Sequence, residues 1–210
     1  MDRYRKYNEK ENIESSVFVM NTEESALSFV DEGNEYLNNL FEKLINEYDF
    51  PVDRAAIFYL FDRDAKSNTN HAFIKELIDS LSHSRESNGY SRQGLILLSY
   101  PSIESFVTSN FISDTHMLAF ETGKDLKRYL NEKKIIQNNI DVESLVHAVF
   151  EMEKAFIHLG ITNYDLDNFK ATNQTIFTKQ EQYATANNAY RLLSLLSIVL
   201  LDLGLVEVEH

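Results

Sequence analysis

The stretch Ala55-Ala56-Ile57-Phe58-Tyr59-Leu60-Phe61-Asp62-Arg63-Asp64 decides how the chain folds. An apolar run stops abruptly at two acids spaced i, i+2, as in a buried strand that ends at a sheet edge. Side chains alternate across a strand, so Asp62 and Asp64 point to the same side. Two carboxylates held that close repel unless a proton or a cation lies between them. At the carboxyl end of a buried strand they form a candidate site for a hard divalent ion such as Mg²⁺. The structural alternative is a turn in which Asp64 caps the helix that begins near Asn70. The two acids alone leave both readings open.

Working outward, residues 72–81 read as a helix with Phe73, Leu77, Ile78 and Leu81 on one face. Gly94-Leu95-Ile96-Leu97-Leu98-Ser99-Tyr100 is apolar on both faces, which suits the middle of a parallel sheet. Upstream, residues 16–20 read as a short strand. Asn21 and Thr22 follow as turn or cap, and Glu23 and Glu24 suit a first helical turn. The helical pattern runs to Tyr48, with Leu37, Leu40, Phe41, Leu44 and Ile45 three and four apart and an interruption at Gly33. Residues 1–14 read as helical or frayed. The order strand–helix–strand–helix–strand predicts an α/β fold, a doubly wound parallel sheet flanked by helices, over residues 1–111. Residues 112–210 are expected to form an all-helical subdomain, with helices over 125–130, 142–159 and 182–203 and a polar connector over 160–179.

Composition narrows the function. The 210 residues carry a net charge of −13, against a surface devoted wholly to gripping nucleic acid but not against a local basic groove. There is no cysteine, so disulfides, thiolate metal sites and a cysteine nucleophile are excluded, in keeping with a cytoplasmic protein. The polar start, Met1-Asp2-Arg3-Tyr4-Arg5-Lys6-Tyr7, lacks the apolar core of a secretory signal. Residues 192–205 are the most apolar stretch, too short to span a membrane. They read as a buried helix or as an interface for a homo-oligomer.

The strand ending Leu60-Phe61-Asp62-Arg63-Asp64, the helix after it, and the strand running Leu97-Leu98-Ser99-Tyr100-Pro101-Ser102-Ile103-Glu104-Ser105-Phe106 together resemble TOPRIM domains. The resemblance covers residues 16–110 and is nearest to the OLD-type nucleases and related bacterial anti-phage or abortive-infection proteins. It implies phosphodiester hydrolysis of nucleic acid with Mg²⁺ or Mn²⁺. Asp62 and Asp64 match the metal-holding pair, and Glu104 matches a further catalytic acid. It also implies an ATPase or other protein partner, since this chain has no Gly-rich phosphate loop. Glu104 has a second reading as a charge favoured at a helix start.

One departure stands out. The family carries a Glu, usually followed by Gly, after its first strand. Here the strand at 16–20 is followed by Asn21-Thr22-Glu23-Glu24 and resembles the family's second strand. The expectation is a chain lacking the first strand, or a catalytically inactive relic that serves as a protein-interaction module. Two-metal hydrolysis needs enough carboxylates to hold two ions about 4 Å apart, so the missing Glu bears directly on activity.

Elsewhere, His71 is placed at a helix start near the acids. His83, His116, His147 and His158 show no zinc spacing. Arg63, Lys66, Arg85 and Arg92 read as solvated loop charges, or as contacts to phosphates. Phe58, Tyr59, Phe61, Phe106 and Phe111 read as core.

Overall fold

The structure is a computed structural model that describes residues 2–8, 13–19, 27, 30, 35–64, 69–87, 89 and 92–207. The expected turn and helix start at Asn21, Thr22, Glu23 and Glu24, the break at Gly33, and Lys66 lie outside the described residues. The elements are β1 (Asp2–Asn8), β2 (Ile13–Val19), α1 (Glu35–Asn46), β3 (Phe58–Asp62), α2 (His71–Ser80), β4 (Ser82–His83) and β5 (Gly94–Tyr100). They continue with α3 (Glu104–Phe111), β6 (Ala119–Phe120), α4 (Gly123–Glu132), α5 (Val142–His158), α6 (Lys170–Asn187), β7 (Tyr190–Arg191), β8 (Leu193–Ser194) and α7 (Leu196–Asp202).

The fold is α/β, and its main sheet is mixed. β3 and β5 run parallel, in the register Phe58↔Leu95 to Asp62↔Ser99. On the other side of β5 lie two short antiparallel strands, β4 against its start and β8 against its end. Every residue of β5 is buried, as its two-faced apolar pattern requires. Each Leu or Ile buried there contributes roughly 1.5–3 kcal/mol. β5 begins at Gly94 with φ +144°, where an added Cβ would lie 2.2 Å from the Tyr59 ring. Only glycine permits both that backbone and that approach.

α2 forms where expected. Phe73, Ile74, Leu77 and Ile78 are buried, and the Asn70 side chain caps it by accepting the Phe73 N–H at 3.1 Å. The cap of this helix is therefore Asn70 and not Asp64.

Five expectations are corrected. Residues 2–8 are a strand, β1, paired antiparallel with β2 in a hairpin of its own. β2 therefore adds nothing to the main sheet among the described residues, and the sheet is not doubly wound there. Residues 112–210 are not all-helical, because β6, β7 and β8 fall within them and β8 completes the sheet beside β5. The helix expected over 182–203 is broken where Asn188 takes a left-handed backbone (φ 53°), and the segment 160–179 contains the start of α6. The first part of α6 reads as a connector because the buried side chains of this helix include the polar Asn173, Gln180 and Glu181. Each has a partner inside: Asn173 Nδ2 donates to Ile96 O at 2.7 Å, Gln180 Nε2 donates to Arg191 O at 3.0 Å, and Glu181 binds Arg63.

A single hydrophobic cluster joins Ile74, Leu77, Ile96 and Leu98 with Phe156, Ile176, Leu195 and Ile198, so both halves of the chain share one core.

Candidate functional site

The ladder between β3 and β5 continues one step past β3, as Arg63 N–H donates to Ser99 O at 2.8 Å. Strand alternation therefore holds through Asp64. Asp62 and Asp64 fall on one face and Arg63 on the other.

On the acidic face, two helix starts converge. Asp62 Oδ1 accepts the Ile103 N–H at 2.7 Å, just before α3. Asp64 Oδ2 accepts the Gly123 N–H at 3.2 Å, at the first residue of α4. Carboxylates are favoured at helix N-termini by unpaired N–H groups and by the helix dipole. Glu104 opens α3. Its Oε2 accepts the Ser102 hydroxyl at 2.6 Å, and its Oε1 lies 3.2 Å from Lys127 Nζ of α4. α4 starts here because the Thr122 hydroxyl oxygen accepts the Asp125 N–H at 3.2 Å. Gly123 allows the close approach: an added Cβ would lie 2.8 Å from Ser102 Oγ and 2.9 Å from Ser102 Cβ.

Burial pushes the Asp62 carboxyl above its ordinary range. The Ile103 N–H opposes this, Glu104 and Asp64 add to it by repulsion, and Lys127 offsets part. Glu104 and Asp64 thus both act electrostatically on Asp62. Their ligand oxygens do not all come within 4.8 Å of one another. The donors are carboxylates and a hydroxyl, hard oxygens of the kind Mg²⁺ prefers. Mg²⁺ needs only one or two carboxylates and keeps several waters, so the donor set fits one such ion through Asp62 and Asp64. Lys127 and Gly123 had no signal in the sequence, since their roles come from α4 meeting the sheet end.

The opposite face differs in kind. Arg63 is 1% exposed, and its guanidinium makes a bidentate pair with Glu181 of α6, Nε to Oε1 at 2.8 Å and Nη2 to Oε2 at 3.0 Å. The Tyr190 hydroxyl donates to the same carboxylate at 3.0 Å, and His71 Nε2 lies 3.3 Å from it. Arg63 is therefore neither a solvated loop charge nor a contact for phosphate. Arg85 pairs with Asp202 at 2.8 Å, and buried Arg92 bonds Asn38, so these two are structural as well. Tyr59, Phe61 and Phe106 are buried as expected, while Phe111 is 37% exposed.

A second cluster lies beside α5. Ligand atoms of Asp114, His116 and Glu151 all fall within 4.8 Å of one another. Lys154 Nζ already sits there, 2.7 Å from Glu151 Oε1 and 3.2 Å from Asp114 Oδ1. Thr115 N–H and Oγ1–H donate to Glu151 Oε2 at 2.8 and 3.1 Å. Burial alone would raise the Glu151 carboxyl, but the Lys154 ammonium and the Thr115 and Asp114 backbone N–H groups bring it below its ordinary value. A lysine is the resident cation of this cluster. The fold brings His116 and His158 to 5.3 Å between ring centroids, a proximity that their sequence spacing does not suggest.

Among the described residues, no helix is long and apolar enough to cross a membrane. Compared with family models, curated proteins and solved structures, the chain matches none of them.

Proposed function

We propose that the chain is a TOPRIM-like, Mg²⁺- or Mn²⁺-dependent nuclease module acting on nucleic-acid phosphodiesters, of the kind used in bacterial anti-phage defence. The observation that supports it is the gathering of Asp62, Asp64 and Glu104 where β3 and β5 end, with Asp62 disfavoured in its charged form by its own burial and by the other two acids. Asp62 and Asp64 would hold the ion. Such an ion polarises a phosphoryl oxygen and lowers the pKa of a bound water. Glu104, held by Ser102 and Lys127, would serve as the base toward such a water. Lys127 brings a positive charge to the same edge, where a phosphoryl group gains negative charge as the reaction proceeds.

Titration calorimetry with Mg²⁺ and Mn²⁺ on wild type and on Asp62→Ala/Asp64→Ala tests the ion site. Cleavage of end-labelled DNA and RNA tests the chemistry. The expected result is saturable binding and cleavage that the double variant abolishes. No binding by folded wild type overturns it.

The second reading is a catalytically inactive interaction module. The Lys127–Glu104 pair favours it, because it already neutralises one of the three acids without a metal. Metal binding without cleavage of either nucleic acid would select it.

A further inference from the structure

We infer that the exposed face of α4 is a track for the phosphodiester backbone of a nucleic acid, leading to the Asp62–Asp64 edge. Residues 123–134 hold five cations, Lys124, Lys127, Arg128, Lys133 and Lys134, against two acids, Asp125 and Glu132. That is a local positive excess in a chain whose net charge is −13. Such an asymmetry concentrates anion-attracting potential on one element.

The arrangement is regular. Lys124, Lys127, Arg128 and Asn131 stand at i, i+3, i+4 and i+7, which is one face of a helix, and all four are exposed. Leu126 and Leu130 are buried on the opposite side at 0% and 7% exposure, so the basic face cannot turn inward. Neighbours on such a face lie about 5–6 Å apart between Cβ atoms. The face is fixed relative to the acids. Gly123 N–H bonds Asp64, and Lys127 reaches Glu104. Arg128 faces Asp125 at 3.5 Å, but both of these ion pairs involve well-exposed cations and yield readily to a competing anion.

The exposed face holds no large apolar side chain: Lys124, Lys127, Arg128, Asn131 and Glu132 are all polar. A protein partner needs an apolar, desolvated centre to its interface, whereas a phosphate backbone needs spaced cations. Backbone binding is the occupant these residues suit. The inference rests on the nuclease reading only for the role of the strand once bound, not for its binding.

Fluorescence anisotropy in low salt and EDTA, with single-stranded DNA, duplex DNA and RNA of equal length, measures binding apart from catalysis. Lys124→Glu/Arg128→Glu is expected to weaken binding at least about tenfold and to lower the salt slope by about two. Lys43→Glu/Lys179→Glu makes the same change in net charge on other exposed helix positions and is expected to bind like wild type. Circular dichroism melts confirm that both double variants fold. The DNA and RNA arms identify which backbone the track takes. Equal losses in the two double variants would overturn the inference. So would wild type that binds polyglutamate and no nucleic acid. Binding through α4 with no cleavage in Mg²⁺ would leave the track standing and remove the nuclease reading. Cleavage unaffected by Lys124→Glu/Arg128→Glu would do the reverse.

Discussion

Asp62 and Arg63 are neighbours in the chain and opposites in the fold. Arg63 points to the face covered by α6, where Glu181 takes its hydrogen bonds in the interior and Tyr190 donates to the same carboxylate. Asp62 points to the face where α3 and α4 begin, among acids that repel it. The difference separates charge that holds the fold together from charge held against repulsion. The first kind is compensated by internal partners, and its removal costs stability. The second kind is offset only in part, by the Ile103 N–H and by Lys127, and its removal is nearly free.

The sharpest way to break this contrast is to unpair Arg63. Glu181→Ala leaves a buried guanidinium without its carboxylate and is expected to cost about 3–5 kcal/mol in urea unfolding. Arg63→Met/Glu181→Leu removes both charges and is expected to recover most of that loss. If Glu181→Ala unfolds like wild type, the buried pair does not hold the fold.

Gly123→Ala comes next. Its Cβ would press on Ser102, 2.8 Å from Oγ, and overpacking of this kind costs about 1–3 kcal/mol. It also pushes α4 away from Asp64, so Mg²⁺ affinity should fall with stability. A calorimetric titration that shows unchanged affinity would separate α4 from the acidic edge.

Asp62→Asn probes the acidic face with a smaller effect of opposite sign. The folded-state pKa of Asp62 stands above its unfolded value. Its contribution is therefore fully present below the unfolded carboxylate range and is lost as pH rises through the folded pKa. At neutral pH the neutral amide should melt slightly higher than wild type, and the gap should close on acidification. Added Mg²⁺ should stabilise wild type and not the variant. A variant that melts lower at pH 7 would mean that the Ile103 bond outweighs the repulsion.

His71→Ala should do least. His71 touches the buried Glu181 but is itself 52% exposed, so the melt should change by less than about 1 kcal/mol. A larger loss would place His71 inside the Arg63 network.

Much of the acidic edge was legible in the sequence, because local patterns made it. The apolar run into Asp62 and Asp64 and the two-faced strand at Gly94–Tyr100 needed only strand periodicity. The C-terminal half was less legible, for a physical reason. Asn173 and Glu181 are buried against partners far along the chain, the Ile96 carbonyl and Arg63, and Gln180 donates to the Arg191 carbonyl. No hydropathy pattern records a partner far along the chain. β8 was hidden likewise, since two residues make a strand only when β5 offers them an edge. Lys127 looked like any helix-surface lysine until α4 was set beside α3.

The hydroxyls of Ser99 and Ser194 meet at 2.7 Å across 95 residues of chain, and Arg63 finds Glu181 across 118. Chains are made from the N-terminus onward, and contacts between distant segments wait for the later one to emerge. Asp62, Asp64, Glu104 and Lys127 all leave the ribosome before the segment that buries Arg63 exists. A nascent chain would carry every group of the candidate site on an unfinished sheet. The sheet beside the candidate site is therefore complete only once the segment carrying α6 and β8 has been made.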